Sequence, residues 1–419
     1  MVFGGTVSQD LIANRLVRCM VETIFRNRAR RRLAGLDHEP IYRSQVRTLV
    51  GMVHQSRHSR FGRDHDFCRI HTIRDFQRLV PLRSFSQLFQ EYWETSILNR
   101  DNTTWPHFPF AALVKRLTGR IQEVPLSPAL LATHGKAALT ALGLVGKIKS
   151  RSPLFSGQIV VLGKDWGLQK RGEVTLGSLE SLAISQLPVF LKPSIKGPVD
   201  LKSDNGSPPE KIIADLLQSP VTCIAGTASR ILRFLTQVKN TIRRGTLEEV
   251  WPSLAAVIYT RGFSRVDRGQ LVNSLGKSGV LVLEALIHPE GPIALEDPRY
   301  GCLRLLPDHG VFFEFVPWED LGHSNPRRHS VGEIELGVPY GIALTSSGIW
   351  ACLVPGKIRF ERRDPPLFHA LEQPAKVEPA RPTTPAYPIP AQPFPADVEL
   401  VPEAYAESNE RSFFSMMPI

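Results

Sequence analysis

Three groupings of residues in this chain have the types and spacing to do chemistry. The first is Lys115-Arg116-Leu117-Thr118-Gly119-Arg120, set between the apolar runs 110–114 and 121–125. Cations, a hydroxyl and a glycine in a tight loop between two strands suit a phosphate loop, where backbone N–H groups and side chains close on the same oxygens. The second is His54, His58, His65 and Cys68. His54 and His58 are four apart and share one helix face, as paired metal ligands must. The arginines crowded around them repel a cation and no carboxylate-rich shell accompanies them, so surface histidines and no metal site are expected. The third is the pair of glycine–lysine stretches. Gly276-Lys277-Ser278 ends like a Walker loop, but Leu271 stands where the first glycine is required, and a strand follows rather than precedes it. Gly143 to Lys147 fails in the same way, with Ala141 in the glycine position. Neither a Gly-x-Ser-x-Gly elbow nor a Gly-x-Gly-x-x-Gly fingerprint occurs, which removes the simplest hydrolase and dinucleotide readings.

These groups need elements to hold them. The strongest strand signals lie at 302–306 and 311–316, punctuated by Gly301 and Gly310 and rich in aromatic and β-branched residues. They are expected to form two strands joined at 307–310, and such a pair needs partners because a lone hairpin is marginal in water. Residues 254–259 and 279–287 are apolar almost without interruption, the pattern of strands buried on both faces. A sheet with helices packed on it follows.

Upstream, 11–36 carries one apolar helical stripe closed by Gly35, 41–54 repeats it, and Thr72 with Asp75 opens a short third helix by capping-box logic. Residues 129–144, 209–217 and 228–242 are further helices, and 158–162 and 221–225 further strands. The glycine-dotted 163–177 and the Pro/Gly/Ser-rich 192–209 are expected to be loops.

Residues 1–83 hold 16 arginines, no lysine and 7 acidic residues, a large share of the overall charge of +11. A solvated basic face accounts for that excess; nucleic-acid or anionic-membrane contact is the sharper alternative. The 5 cysteines are scattered and never in a Cys-x-x-Cys pair, so neither a disulfide framework nor a zinc knuckle follows. No signal core and no run near ~20 apolar residues is seen, giving an expectation of a cytoplasmic protein without a transmembrane segment. From Asp364 the 56 remaining residues contain 12 prolines, and the folded part is expected to end near 362. Phe413-Phe414-Ser415-Met416-Met417 reads as a frayed terminus, with a short docking motif as the alternative.

Phe61-Gly62-Arg63-Asp64-His65-Asp66-Phe67, Val80-Pro81-Leu82-Arg83-Ser84-Phe85, Trp251-Pro252-Ser253-Leu254, residues 306–317, residues 333–340 and residues 344–350 follow one another in an order that resembles a known family. It is the bacterial branch of the auxin-responsive, Gretchen Hagen type acyl-acid-amido synthetases, which belong to the adenylate-forming enzymes. The resemblance runs along nearly the whole folded chain. It implies a large adenylate-forming domain and an activity that activates a carboxylate with Mg-ATP as an acyl-AMP, then transfers the acyl group to an amine.

The resemblance also assigns three nucleotide motifs. The family's Ser-Gly-Thr-Thr-Gly phosphate loop falls on residues 115–119, where Thr118 and Gly119 match. Its Gly-Tyr-Gly-x-x-Glu-Gly, with a tyrosine that stacks on adenine and a glutamate near the metal, falls on residues 285–291. Glu290 and Gly291 match there, while Leu286 replaces the tyrosine and offers no flat stacking surface. Its Tyr-Arg-x-Gly-Asp, whose aspartate holds the ribose hydroxyls, ends on Gly356. The family's mobile C-terminal domain should begin near residue 360, where the proline-rich stretch stands instead.

The expected architecture is therefore α/β: a large domain of the adenylate-forming type with mixed sheets flanked by helices. Residues 1–100 would be its basic helical part, 101–362 its α/β core and 363–419 a disordered tail, making the chain a degenerate and truncated relative. The expected function is a catalytically impaired binding or scaffold protein with a small carboxylate or a protein as partner and no cofactor. The alternative is an active ATP-dependent amido synthetase using Mg-ATP, with Glu290 as catalytic remnant and Lys115, Arg116, Thr118, Gly119 and Gly291 around the nucleotide. A basic nucleic-acid or membrane-surface binder ranks last, because the aromatic interleaving of single-strand platforms is absent.

Overall fold

The computed structural model describes residues 15–94, 100–115, 121–189, 191–201, 209–242, 245–260, 268–276 and 279–371. The N-terminal part is helical: α1 (Arg15–His38), α2 (Ile41–Ser56), α3 (Arg60–Asp64), α4 (Ile73–Leu79) and α5 (Phe85–Tyr92), with the two-residue strand β1 (Arg83–Ser84) before the last. Thr72 and Asp75 form the capping box that opens α4. Gly35 does not close α1. A glycine inside a helix costs only about 1 kcal/mol, and burial of Leu33 and Leu36 carries the helix past it to His38.

A small sheet follows, built from β2 (Phe110–Lys115) and β3 (Ile121–Leu126). After α6 (Pro128–Ile148) and β4 (Gln158–Leu162) come β5 (Gln169–Arg171) and β6 (Val174–Gly177), which join it in the order β3-β2-β6-β5. The stretch 163–177, expected as a loop, thus contains two short strands.

The chain continues through α7 (Leu179–Ser185), β7 (Ile195–Val199), α8 (Pro209–Leu217), β8 (Val221–Thr227), α9 (Ala228–Ile242), α10 (Leu247–Val250), β9 (Ala256–Thr260), α11 (Arg268–Leu275) and β10 (Leu281–His288). It then runs through β11 (Gly291–Asp297), β12 (Cys302–Leu305), β13 (Phe312–Pro317), β14 (Pro339–Ser346), β15 (Ile349–Arg363) and β16 (Pro366–Leu371). The large sheet has the order β13-β14-β15-β16-β12-β11-β10-β9-β8-β4-β7, with β1 paired to β15. Its β7, β4, β8, β9 and β10 run parallel.

Of these, β4, β8, β9 and β10 are largely buried on both faces, as their continuous apolarity requires, while β7 leaves Lys196 exposed. Ile159, Cys223, Ala256 and Leu283 face one core with Phe25 and Leu33 of α1 and Ala137 and Leu144 of α6. Their neighbours Val160, Ile224, Val257 and Val282 face another with Phe234, Ile231 and Leu271 from α9 and α11. A third core joins the N-terminal helices to β11–β16 around Phe61, Phe312, Phe313, Phe315 and Trp350.

Three further expectations are corrected. β12 and β13 are strands but do not pair: β12 lies between β11 and β16, and β13 pairs with β14. The turn between them is held instead by helices. Gln45 of α2 donates to the Pro307 and Val311 carbonyls at 2.6 and 2.8 Å and accepts from Phe313 N at 2.8 Å. Residues 192–209 contain β7, the terminal strand of the order, where Pro198 is tolerated because one edge has no partner among the described residues. The fold does not stop near 362, since β16 pairs with both β15 and β12. Residues 372–419, including 413–417, lie outside the described residues.

α6 is the one described helix whose length and composition would suffice to cross a bilayer. Here its Ala137, Ala141, Leu144 and Val145 are buried against α1 and the sheet.

Candidate functional site

Of the positions assigned to a nucleotide, Glu290 and Gly291 come together, in a two-residue hairpin turn. His288 pairs with Gly291 across β10 and β11, leaving Pro289 and Glu290 to make the reversal. Glu290 is therefore a hairpin residue, and it is 2% exposed. Two elements brace it. Ser346, at the end of β14, donates its hydroxyl to the Glu290 carbonyl at 2.6 Å. His134, in the second turn of α6, lies 3.3 Å through Nε2 from the Pro289 carbonyl. A carbonyl can only accept, so Nε2 carries the proton and Nδ1 is the bare nitrogen.

Burial sets the charge of that imidazole. Desolvation holds the His134 pKa down to about 4 despite the pull of the nearby Glu290 carboxylate, so the ring is neutral at physiological pH. The sequence on either side explains the placement. Ser127 caps α6, accepting from Leu130 N at 3.1 Å, and its hydroxyl donates to the Ser347 carbonyl at 3.3 Å. That pair ties the start of α6 to the β14–β15 turn. In the same turn Gly348 adopts φ +102°, and a Cβ there would come within 2.5 Å of Phe108. Ala351 is held at φ +43°, its N–H donating to Thr345 Oγ1 at 2.9 Å. A buried non-glycine residue in left-handed backbone is a strained position held by its surroundings.

The other assigned positions are not gathered here. Lys115 is exposed at the end of β2, opposite Ile121. Arg116, Thr118 and Gly119 lie outside the described residues. Leu286 is half-buried and packs on the third core. Gly356 sits with Pro355 in an irregularity of β15, between the Gly341–Lys357 and Ile342–Val354 pairs.

The four residues weighed as metal ligands are not gathered into one group. Arg57 donates to His58 Nε2 at 3.0 Å and lies 3.2 Å from His54 Nε2, while His65 stacks on Phe61 and meets Arg83 at 3.1 Å. Cys68 is exposed.

Sequence reasoning passed over His134 and a second polar group inside the sheet. Tyr259 Oη donates to Glu284 Oε2 at 3.2 Å, Glu284 N donates to Glu296 Oε2 at 2.9 Å, and Arg268 pairs with Glu296. Glu284 was a visible signal, a carboxylate inside the apolar run 279–287. His134 gave none, being one polar residue on a helix whose apolar stripe dominates.

No protein-family model matches the sequence, and no curated protein matches it. Solved structures do match. An acyl acid amido synthetase in complex with 2,4-DB superimposes with a TM-score of 0.61 at 13% identity, over 82% of this chain and 70% of that one. The chain has the adenylate-forming fold. An open conformation of 2-hydroxyisobutyryl-CoA ligase in complex with 2-HIB-AMP and CoA gives a TM-score of 0.56 at 13% identity, over 80% of this chain and 75% of that one. At this identity the likeness is one of fold. In the adenylate-forming architecture seen here, α6 and the β10–β11 and β14–β15 turns meet around His134, Glu290 and Ser346.

Proposed function

We propose that this chain uses the adenylate-forming fold to bind a small carboxylate without adenylating it. The observation that carries the reading is Glu290, the carboxylate that the family motif would place near a metal. In this chain it lies 2% exposed in a hairpin turn whose carbonyls are taken up by Ser346 and His134. A carboxylate so enclosed is poorly placed to meet a hydrated cation, which keeps several waters of its own.

The adenosine positions fit no better. Leu286 presents an aliphatic side chain to the core where stacking calls for a flat ring, and Gly356 brings no carboxylate to a ribose. No step is routed through ATP on this reading. The neighbour solved with 2,4-DB supports the choice of a carboxylate.

An active amido synthetase is the second reading. It is favoured by Lys115, which projects from β2 directly ahead of the segment assigned to phosphate, and by the neighbour that holds 2-HIB-AMP. Screening carboxylic acids for a rise in unfolding midpoint, then assaying the hits for acid-dependent ATP–pyrophosphate exchange, separates the two. Binding without exchange supports the first reading, and exchange overturns it.

A further inference from the structure

The parallel strands end in a cleft whose lining includes none of His134, Glu290 and Ser346. β4 lies between β7 and β8; within this sheet the next strand after β4 is β7, whereas the next after β8 is β9, on the other side. Neighbouring parallel strands whose connections part in this way open a crevice at their C-terminal ends, where ligands of open α/β sheets bind. The crevice is present: a small open cleft is lined by Leu162, Lys164, Asp200, Leu201, Arg230 and Arg233.

Its charge is unbalanced. Lys164 pairs with Asp200 at 3.0 Å. Arg230 is half-buried and Arg233 exposed, and neither has a hydrogen-bond or ion-pair partner among the described residues. Elsewhere in the fold buried or half-buried arginines are matched: Arg32 with Asp308, Arg304 with Asp37 and Asp297, Arg328 with Glu314. Among the lining residues three cations stand against one carboxylate, and the two arginines are the unpaired ones. Guanidinium groups offer forked donors that fit the oxygens of a phosphate.

We propose that this cleft is a phosphate-binding site, taking a dianionic phosphate group on Arg230 and Arg233 with Lys164 as the third cation. The site is independent of the reading given for the Glu290 turn. It is recognised by chemistry that a free phosphate and a phosphate ester share.

The test is calorimetric titration of the full chain with inorganic phosphate and with glycerol 3-phosphate at constant ionic strength. Saturable binding of at least one is expected in the millimolar range or tighter. It should weaken at least about tenfold in the Arg230→Gln/Arg233→Gln double variant, because two charge-assisted contacts are removed. It should stay within about twofold in Lys239→Gln, a charge lost from the same helix outside the cleft. Tighter binding of glycerol 3-phosphate assigns an ester, and tighter binding of phosphate assigns the free anion; either supports the site. No saturable binding of either probe up to about 20 mM overturns the proposal, as does a double variant within about twofold of the parent. Should the double variant not fold, Arg233→Gln alone, at an exposed position, must still show the loss.

Discussion

Arg32 on α1 and Asp308 in the turn before β13 form a two-pronged ion pair, with Nη1–Oδ2 and Nη2–Oδ1 separations of 2.6 and 2.7 Å. Both side chains are largely enclosed, at 9% and 12% exposure. Around them Thr140 accepts from Arg32 Nε at 3.1 Å, His309 lies 3.0 Å from Asp308 Oδ1, and Lys136 donates to the Asp308 carbonyl at 2.5 Å. The pair therefore fastens the arginine-rich N-terminal helix to the turn that starts the β13–β15 meander.

Arg32→Ala should lower stability by about 3 kcal/mol, because it leaves Asp308 as an enclosed charge without its main partner. Urea denaturation of the parent and the variant reads this directly. A loss under about 1 kcal/mol would mean that Lys136 and His309 suffice to hold the turn.

Stability should fall as pH drops below 6.5. Desolvation holds His65, His134 and His309 down to about 4 in the fold, against an ordinary value near 6.5. With the folded pKa depressed, the unfolded chain takes up protons first, so each histidine costs about 1.4 kcal/mol per pH unit between 6.5 and 4. Asp308 adds a second, more acidic phase. Burial alone would raise its pKa, but His309, Lys136 and Arg32 outweigh it and hold the carboxyl well below the usual range. Its contribution is complete above the unfolded value and is lost as pH falls below about 4. Denaturant midpoints at pH 7, 5.5 and 4.5 check the histidine phase, and a midpoint that is flat or rises on acidification contradicts it.

Gly348→Ala should destabilise the chain by more than about 1 kcal/mol, since φ +102° is closed to alanine and the added carbon would collide with Phe108. The thermal midpoint should drop by several degrees. An unchanged midpoint would show that the β14–β15 turn is free to rearrange.

Ser346→Ala removes the hydroxyl that bonds the Glu290 carbonyl at 2.6 Å, at a cost of about 1 kcal/mol. Hydrogen exchange at the Glu290 and Gly291 amides should quicken in the variant. Unaltered exchange would show that Ser346 does not brace the turn.

Much of this architecture was legible because burial on both faces writes itself into sequence as unbroken apolarity, as at 254–259 and 279–287. Local chemistry was equally plain where it acts over three residues, as in the Thr72–Asp75 box. What was not legible was pairing. β12 and β13 adjoin in sequence, yet each finds its partners elsewhere because Gln45, Arg32 and Lys136 capture the intervening turn from three separate helices. β7 was hidden by Gly197 and Pro198, which an edge strand tolerates, and β16 by the proline-rich composition that begins beside it. The site shows the same division. Glu290 could be picked out by resemblance, but its closure by Ser346 and His134 depends on contacts spanning 56 and 155 residues.

The most direct test of the account is acid-dependent ATP–pyrophosphate exchange by the full chain, using carboxylic acids that raise its unfolding midpoint. Exchange reports adenylation alone, so phosphate held by Arg230 and Arg233 does not register. The account predicts exchange at the level of the protein-free control for every acid that binds. Exchange that rises with the acid and disappears in Glu290→Gln would contradict it and return the chain to the active synthetases.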